Sequence, residues 1–154
     1  MESLIHCIYA SAEKREVGEF EMAAMLRQAR RVNARLGITG VLVYAEGSFF
    51  QVLEGDACAV DGLFAKIAAD PRHEKITQII REPIHRRAFS DWTMGYSRMI
   101  REDIEAIHGM NDFFAEASSL AQIDGARARK LLRSFAAGRW RSYGRRALER
   151  LTGR

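Results

Sequence analysis

Three side chains are of types at odds with the apolar patterns that surround them, and together they could hold a ligand. Gln51 lies inside Gly47-Ser48-Phe49-Phe50-Gln51-Val52-Leu53-Glu54-Gly55, a run bracketed by turn glycines. Alternation sets Phe49, Gln51 and Leu53 on one face and Phe50 and Val52 on the other. Apolar residues on both faces predict a strand central in its sheet and covered on both sides. An amide in the middle of such a strand needs hydrogen-bond partners, which either the core or a bound ligand supplies. Asn33 raises the same question on a helix. It follows Ala29 by four residues and precedes Leu36 by three, so it falls within an apolar stripe and must reach a nearby carbonyl or a ligand. Tyr9 ends the apolar run Leu4 to Tyr9 and shares a face with Ile5 and Cys7. If helices cover the face bearing Tyr9 and Gln51, Asn33 points into the same layer. Three hydrogen-bonding groups then converge on an apolar floor, a pocket for a planar ligand with amide-like edges. Asp70 and Arg72 fall at its rim.

The elements that must position these groups can be read in order. Leu4 to Tyr9 is the first strand. Glu19 to Leu36 has helical spacing at Met22, Met25, Leu26, Ala29, Val32, Asn33 and Leu36, with Arg27, Arg30, Arg31 and Arg35 as a solvated basic face. Gly37 caps that helix. Ile38 to Ala45 is a second strand, joined through a tight Glu46-Gly47-Ser48 turn to the strand bearing Gln51. Cys58 to Ala69 is a second amphipathic helix, stopped by Asp70-Pro71-Arg72-His73. Ile76 to Arg81 is a fourth strand, and Trp92 to Met99 a fifth, with Trp92, Met94 and Tyr96 alternating against Thr93, Gly95 and Ser97. This β-α-β-β-α-β-β order predicts an α+β, ferredoxin-like open sheet with both helices on one face. The other face, with Leu4, Ile8, Phe50 and Val52, needs a cover. Three helical segments remain: Arg101 to His108, a segment capped by Asn111, and Ala126 to Ala137. One of them is expected to pack there, leaving others, with Trp140 and Tyr143, free to meet another chain.

Bulk properties narrow the function. The 154 residues fit one domain with a helical appendage, and 47% hydrophobic with 29% charged residues is ordinary for a globular protein. No apolar run is long enough for a membrane span, and the N-terminus reads as a strand and not as a signal peptide. Cys7 and Cys58 lack metal spacing and are expected as buried thiols in a reducing cytoplasm. Residues 1–100 are neutral, with 13 basic and 13 acidic side chains, whereas residues 127–154 carry ten basic residues against Glu149 alone. Glycine-rich phosphate loops, the Gly-x-Ser-x-Gly elbow and His-Glu-x-x-His are missing. The four histidines (His6, His73, His85 and His108) have no metal spacing. His6 is read as structural, and His73 as a helix-end residue that caps, pairs with a charge or touches a ligand. Nothing here argues for an enzyme.

The residues resemble the BLUF domain, the sensor of blue light using flavin. The resemblance is carried by Tyr9, by Asn33 before Leu36-Gly37-Ile38-Thr39-Gly40, and by Phe49-Phe50-Gln51-Val52-Leu53-Glu54-Gly55. Asp70-Pro71-Arg72-His73 and Arg87-Ala88-Phe89-Ser90-Asp91-Trp92-Thr93-Met94-Gly95-Tyr96 continue it in order. It covers roughly residues 3–98 and implies a flavin-binding domain over 1–98 with a helical extension over 99–154. It further implies a flavin, FAD or else FMN or riboflavin, lying between the two helices. Asn33 would hold the ring's pyrimidine edge and Gln51 would sit between ring and Tyr9, with Lys66, Asp70, Arg72 and His73 as further contacts. Light would draw an electron and a proton from Tyr9 and leave the Gln51 amide turned over or tautomerised. Trp92 and Met94 match the strand pair that passes the signal on, and which of them faces Gln51 stays open. Two positions depart from the family: Val32 is often polar there, and Lys66 often arginine, whose bidentate fork a lysine lacks. The expected function is a photoreceptor, not an enzyme, that acts on a separate effector in trans, with self-association through its tail. The alternative is a nucleic-acid-binding module that uses the basic tail.

Overall fold

The structure, a computed structural model, describes residues 3–45, 47–107, 110, 113 and 119–137. Its elements are β1 (Leu4–Glu13), α1 (Glu19–Leu36), β2 (Thr39–Ala45), β3 (Ser48–Asp56), α2 (Ala57–Ala68), β4 (His73–Pro83) and β5 (Gly95–Met99). Then come α3 (Arg101–Glu105), a 3-10 turn (Leu120–Gln122) and α4 (Gly125–Ala136). The expected element order and α+β class hold.

The strand order is β4-β1-β3-β2-β5. β3 is therefore central, as its two apolar faces require, and it lies antiparallel between β1 and β2, which α1 connects. β4 joins the other edge of β1 antiparallel, and β5 joins β2 in parallel. The near layer packs Ile5, Cys7, Tyr9, Phe49 and Leu53 against Met22 and Leu26 of α1 and Val60 of α2. α1 ends where Gly37, at φ 69°, adopts the left-handed conformation that glycine takes without steric cost.

The far layer holds Ile8, Val43, Phe50 and Val52, and the C-terminal segment covers it. More than one helix does so. Ile104 of α3, Leu120 of the 3-10 turn, and Ala128, Leu131 and Phe135 of α4 all join the same core. Each fully buried leucine or phenylalanine there contributes about 1.5–3 kcal/mol. Asp124 caps α4 by accepting from the Arg127 N–H at 2.8 Å. Arg129 of α4 grips Glu82 of β4 with two hydrogen bonds, 2.7 and 2.9 Å, and His6 Nε2 lies 2.8 Å from the same carboxylate. Arg129 first, and His6 after it, hold the Glu82 carboxyl down at about 2. His6 is structural, as expected.

Several expectations are corrected. β5 begins at Gly95 and not at Trp92, because Ser90 and Asp91 turn the chain and the Trp92 N–H bonds to the Phe89 carbonyl at 3.0 Å. Trp92 folds back over Gly95 so tightly that a β-carbon on Gly95 would lie 1.9 Å from its ring. Trp92 therefore packs in the far layer and Met94 in the near one, so the two do not share a face. Cys7 is buried but Cys58 is exposed, since it occupies the outer side of the first turn of α2. β1 runs on to Glu13, and β4 starts at His73, extending three residues earlier than its apolar pattern because pairing with β1 carries it. The helix expected to start at Asn111 lies outside the described residues.

Candidate functional site

α1 and α2 do not close over the near layer. Between them is a cavity of about 280 Å³, near the lower bound for small-molecule sites. Its floor is the sheet, where Gln51 of β3 lies directly opposite Tyr9 of β1 and Leu42 of β2. The three expected residues do converge: Tyr9, Asn33 and Gln51 all line the cavity, and all are at least 94% buried, Gln51 at 6% exposure being the least so.

Their hydrogen bonds run in series. The Tyr9 hydroxyl donates to Gln51 Oε1, and Gln51 Nε2 donates to Met94 Sδ at 3.3 Å. Met94, and not Trp92, is thus the residue that meets Gln51. Burial first, and the nearby Cys7 and Asp70 after it, hold the Tyr9 phenol well above its ordinary range, so it stays a donor at neutral pH. Phe64 of α2 and His73 flank its ring, with centroids 5.5 and 6.4 Å away. Asn33 Nδ2 donates to the Thr93 carbonyl at 2.6 Å, so the carbonyl partner its position demanded is supplied from a distant segment. Arg30, one turn earlier, donates from Nε to the Met94 carbonyl at 3.2 Å.

Arg30 therefore does not belong to a solvated face, contrary to the sequence expectation. It precedes Asn33 by three residues, which puts both on one side of α1. That spacing was visible in the sequence, although the partner carbonyls, some sixty residues away, were not. At the rim, Arg72 holds Asp70 by side-chain bonds of 3.0, 3.1 and 2.5 Å and keeps its carboxyl below the usual range. His73 Nδ1 is 2.7 Å from Ser11 Oγ, and burial pushes its pKa down, which favours the neutral ring. Lys66 and Val32 line the cavity, as does Arg35, which is exposed as expected and reaches its edge. Among the described residues no group of acids, histidines or cysteines could hold a metal, and no helix is long and apolar enough to cross a membrane.

A flat, mostly apolar ligand with hydrogen-bonding edges suits this site: an apolar floor, buried amides at the inner end, and cations of Lys66 and Arg35 at the mouth for an anionic substituent. A flavin has that chemistry. The family profile described as sensors of blue light using FAD matches residues 4–95. Over 87 residues the chain is 40% identical to the photoactivated adenylate cyclase subunit beta of Euglena longa, a match covering 56% of this chain. It spans only about 10% of that protein's length. The solved dark-state structure of BlrB, a BLUF protein, superposes with a TM-score of 0.71 at 34% identity, covering 89% of this chain and 98% of that one. The photo-activated state of BlsA gives 0.74 at 30% identity, over 86% and 94%.

Proposed function

The chain belongs to the BLUF family of blue-light sensors that use flavin, and from that membership we propose that it binds FAD in the cavity and switches on the Tyr9–Gln51–Met94 series. The observation that carries this reading is that a buried phenol, a buried amide and a thioether are hydrogen-bonded in line along the wall of the cavity between α1 and α2. When bound, a flavin supplies absorption of blue light and an excited acceptor for one electron. The protein's own groups do the rest. Asn33 offers amide hydrogen bonds to the ring edge, and Lys66 with Arg35 attracts the phosphates. Tyr9 would supply that electron and pass its hydroxyl proton along the bond to Gln51, and both would return to the phenol when the charges recombine. With that proton displaced, the Gln51 amide turns over, exchanging donor for acceptor on both sides. Oε1 then faces Met94 Sδ, which accepts but cannot donate, so the contact to Met94 is lost. Buried rearrangements of this kind are worth about 1–3 kcal/mol, enough to bias a two-state element.

Output is inferred to pass from Met94 through the sheet and its C-terminal cover to an effector protein in trans. Among the described residues the tail gives little ground for nucleic-acid binding: Arg129 is bound to Glu82 and Arg127 to Asp124. The test is direct. Purified protein is expected to be yellow and to shift its flavin absorption reversibly to the red under blue light, while Tyr9→Phe and Gln51→Leu keep the flavin and lose the shift. A normal shift in both variants would refute the assigned roles.

A further inference from the structure

Glu54 lies on β3 three residues beyond Gln51, and so on the opposite face of the sheet. It is fully buried, where a carboxylate without donors would cost several kcal/mol. Its donors come largely from one place. The Ala88 N–H donates to Oε2 at 2.6 Å, the Phe89 N–H to Oε1 at 3.0 Å, and Thr39 Oγ1 to Oε1 at 3.0 Å. Arg87, the next residue back, donates to Thr39 Oγ1 (2.8 Å) and to the carbonyls of Glu54 (3.1 Å) and Gly37 (2.7 Å). Residues 87–89 are thereby fastened to the ends of β3, β2 and α1.

From this anchor the chain crosses from the far layer to the near one. Phe89 and Trp92 stack with centroids 6.0 Å apart in the far layer, and the Trp92 carbonyl accepts from the Gly40 N–H at 3.0 Å. Met94 then enters the cavity wall, and the Thr93 and Met94 carbonyls are held by Asn33 and Arg30 of α1. The segment 87–94 is thus attached to β3 at both ends, by Glu54 at its start and by Gln51 at Met94.

We propose that Glu54 is a positioning residue of the switch: its carboxylate fixes where segment 87–94 leaves the far face, and so holds Met94 Sδ against the Gln51 amide. This rests on the Tyr9–Gln51 reading above. The physical consequence has a sign. After the amide turns, Oε1 faces a sulfur that cannot donate, and a firmly anchored Met94 cannot withdraw from it. The anchor therefore strains the turned state and speeds its decay. Weakening the anchor lets Met94 withdraw, which stabilises the turned state and slows dark recovery.

The experiment compares four flavin-loaded proteins: parent, Glu54→Gln, Met94→Leu and the double variant. Dark recovery after a blue pulse, flavin affinity and Tm are measured on each. Glu54→Gln is expected to bind flavin as the parent does, because it lies on the face away from the cavity, and to recover roughly threefold or more slowly. In the Met94→Leu background the same change is expected to leave recovery unaltered, since the contact it positions is gone. Unchanged recovery in Glu54→Gln, or equal slowing in both backgrounds, would overturn the proposal, the second outcome marking a general loosening of the fold. Should Glu54→Gln fail to fold, Thr39→Val, which removes one donor at nearly constant shape, takes its place with the same expected outcomes. A parent without any light-driven shift overturns the switch reading and this proposal together, whereas a cycling parent with insensitive variants overturns this proposal alone.

Discussion

The contact most open to a quantitative test is the buried hydrogen bond between Tyr9 and Gln51. Tyr9→Phe deletes the hydroxyl and leaves Gln51 Oε1, at 6% exposure, without its donor. Gln51→Leu deletes the amide and leaves the buried phenol without its acceptor. Each single change is expected to cost about 1–3 kcal/mol, the penalty of a buried polar group left unpaired. The double variant removes both partners and is expected to cost no more than either single, because two apolar groups then meet. The coupling is therefore about 1–3 kcal/mol, well above the roughly 0.5 kcal/mol within which independent sites add. The assay is urea unfolding of all four proteins at saturating flavin, with flavin affinity measured separately so that ligand linkage is subtracted. For a chain of this size each kcal/mol is about 2–4 °C in Tm, which gives an independent check. Additive costs would refute the reasoning, since the two groups would then be finding other partners.

Three further outcomes are expected. Glu82 has its carboxyl held down at about 2, from 4.5, so its pairing adds stability above pH 4.5 that is lost as pH falls towards 2. Because Glu82 is 33% and Arg129 42% exposed, the contribution is discounted to about 1 kcal/mol; Glu82→Gln should lose that at pH 7 and converge on the parent near pH 2 in urea melts, and a pH-independent gap would contradict it. Lys66→Ala should weaken binding of FAD and FMN by about two- to fivefold in flavin titrations and leave riboflavin unaffected, as an exposed cation facing a phosphate predicts; equal weakening of all three would remove that role. Gly95→Ala should displace the Trp92 ring, changing tryptophan emission and costing about 1–3 kcal/mol on thermal melting, and unchanged emission would show that the close approach is not maintained in solution.

The architecture was legible wherever pattern and period coincide. β3 announced its central place by carrying Phe49 and Leu53 on one face and Phe50 and Val52 on the other, and α4 by Ala128, Leu131 and Phe135. The convergence of Tyr9, Asn33 and Gln51 was legible for the same reason, since each is polar at a position that periodicity makes internal. Long-range partners were not. That Gln51 stands opposite Tyr9 depends on strand register, and that Asn33 and Arg30 reach the 93–94 backbone depends on where a turn at residues 90–91 sends the chain. Trp92 and Met94 alternate as a strand would, yet packing of an indole on Gly95 overrides the alternation. Glu54 drew no notice because a glutamate at a strand end ordinarily faces water. Only its three donors, two of them from one distant segment, identify it as buried.

The direct pairing of Tyr9 with Gln51 also restricts how this sequence can change over time. Side chains on a strand alternate with a period of two, so inserting or deleting one residue within β1 or β3 would turn either group to the opposite face of the sheet. No substitution elsewhere could compensate, because the face a side chain occupies is set by its place in the strand. Length variation between the two positions is therefore expected in the Lys14–Gly18 connection and at the hairpin turn before Ser48, and not inside the paired strands. Homologues aligned across this region should show their gaps there, with the spacing from Tyr9 to Ala12 and from Ser48 to Gln51 kept fixed by the pairing itself.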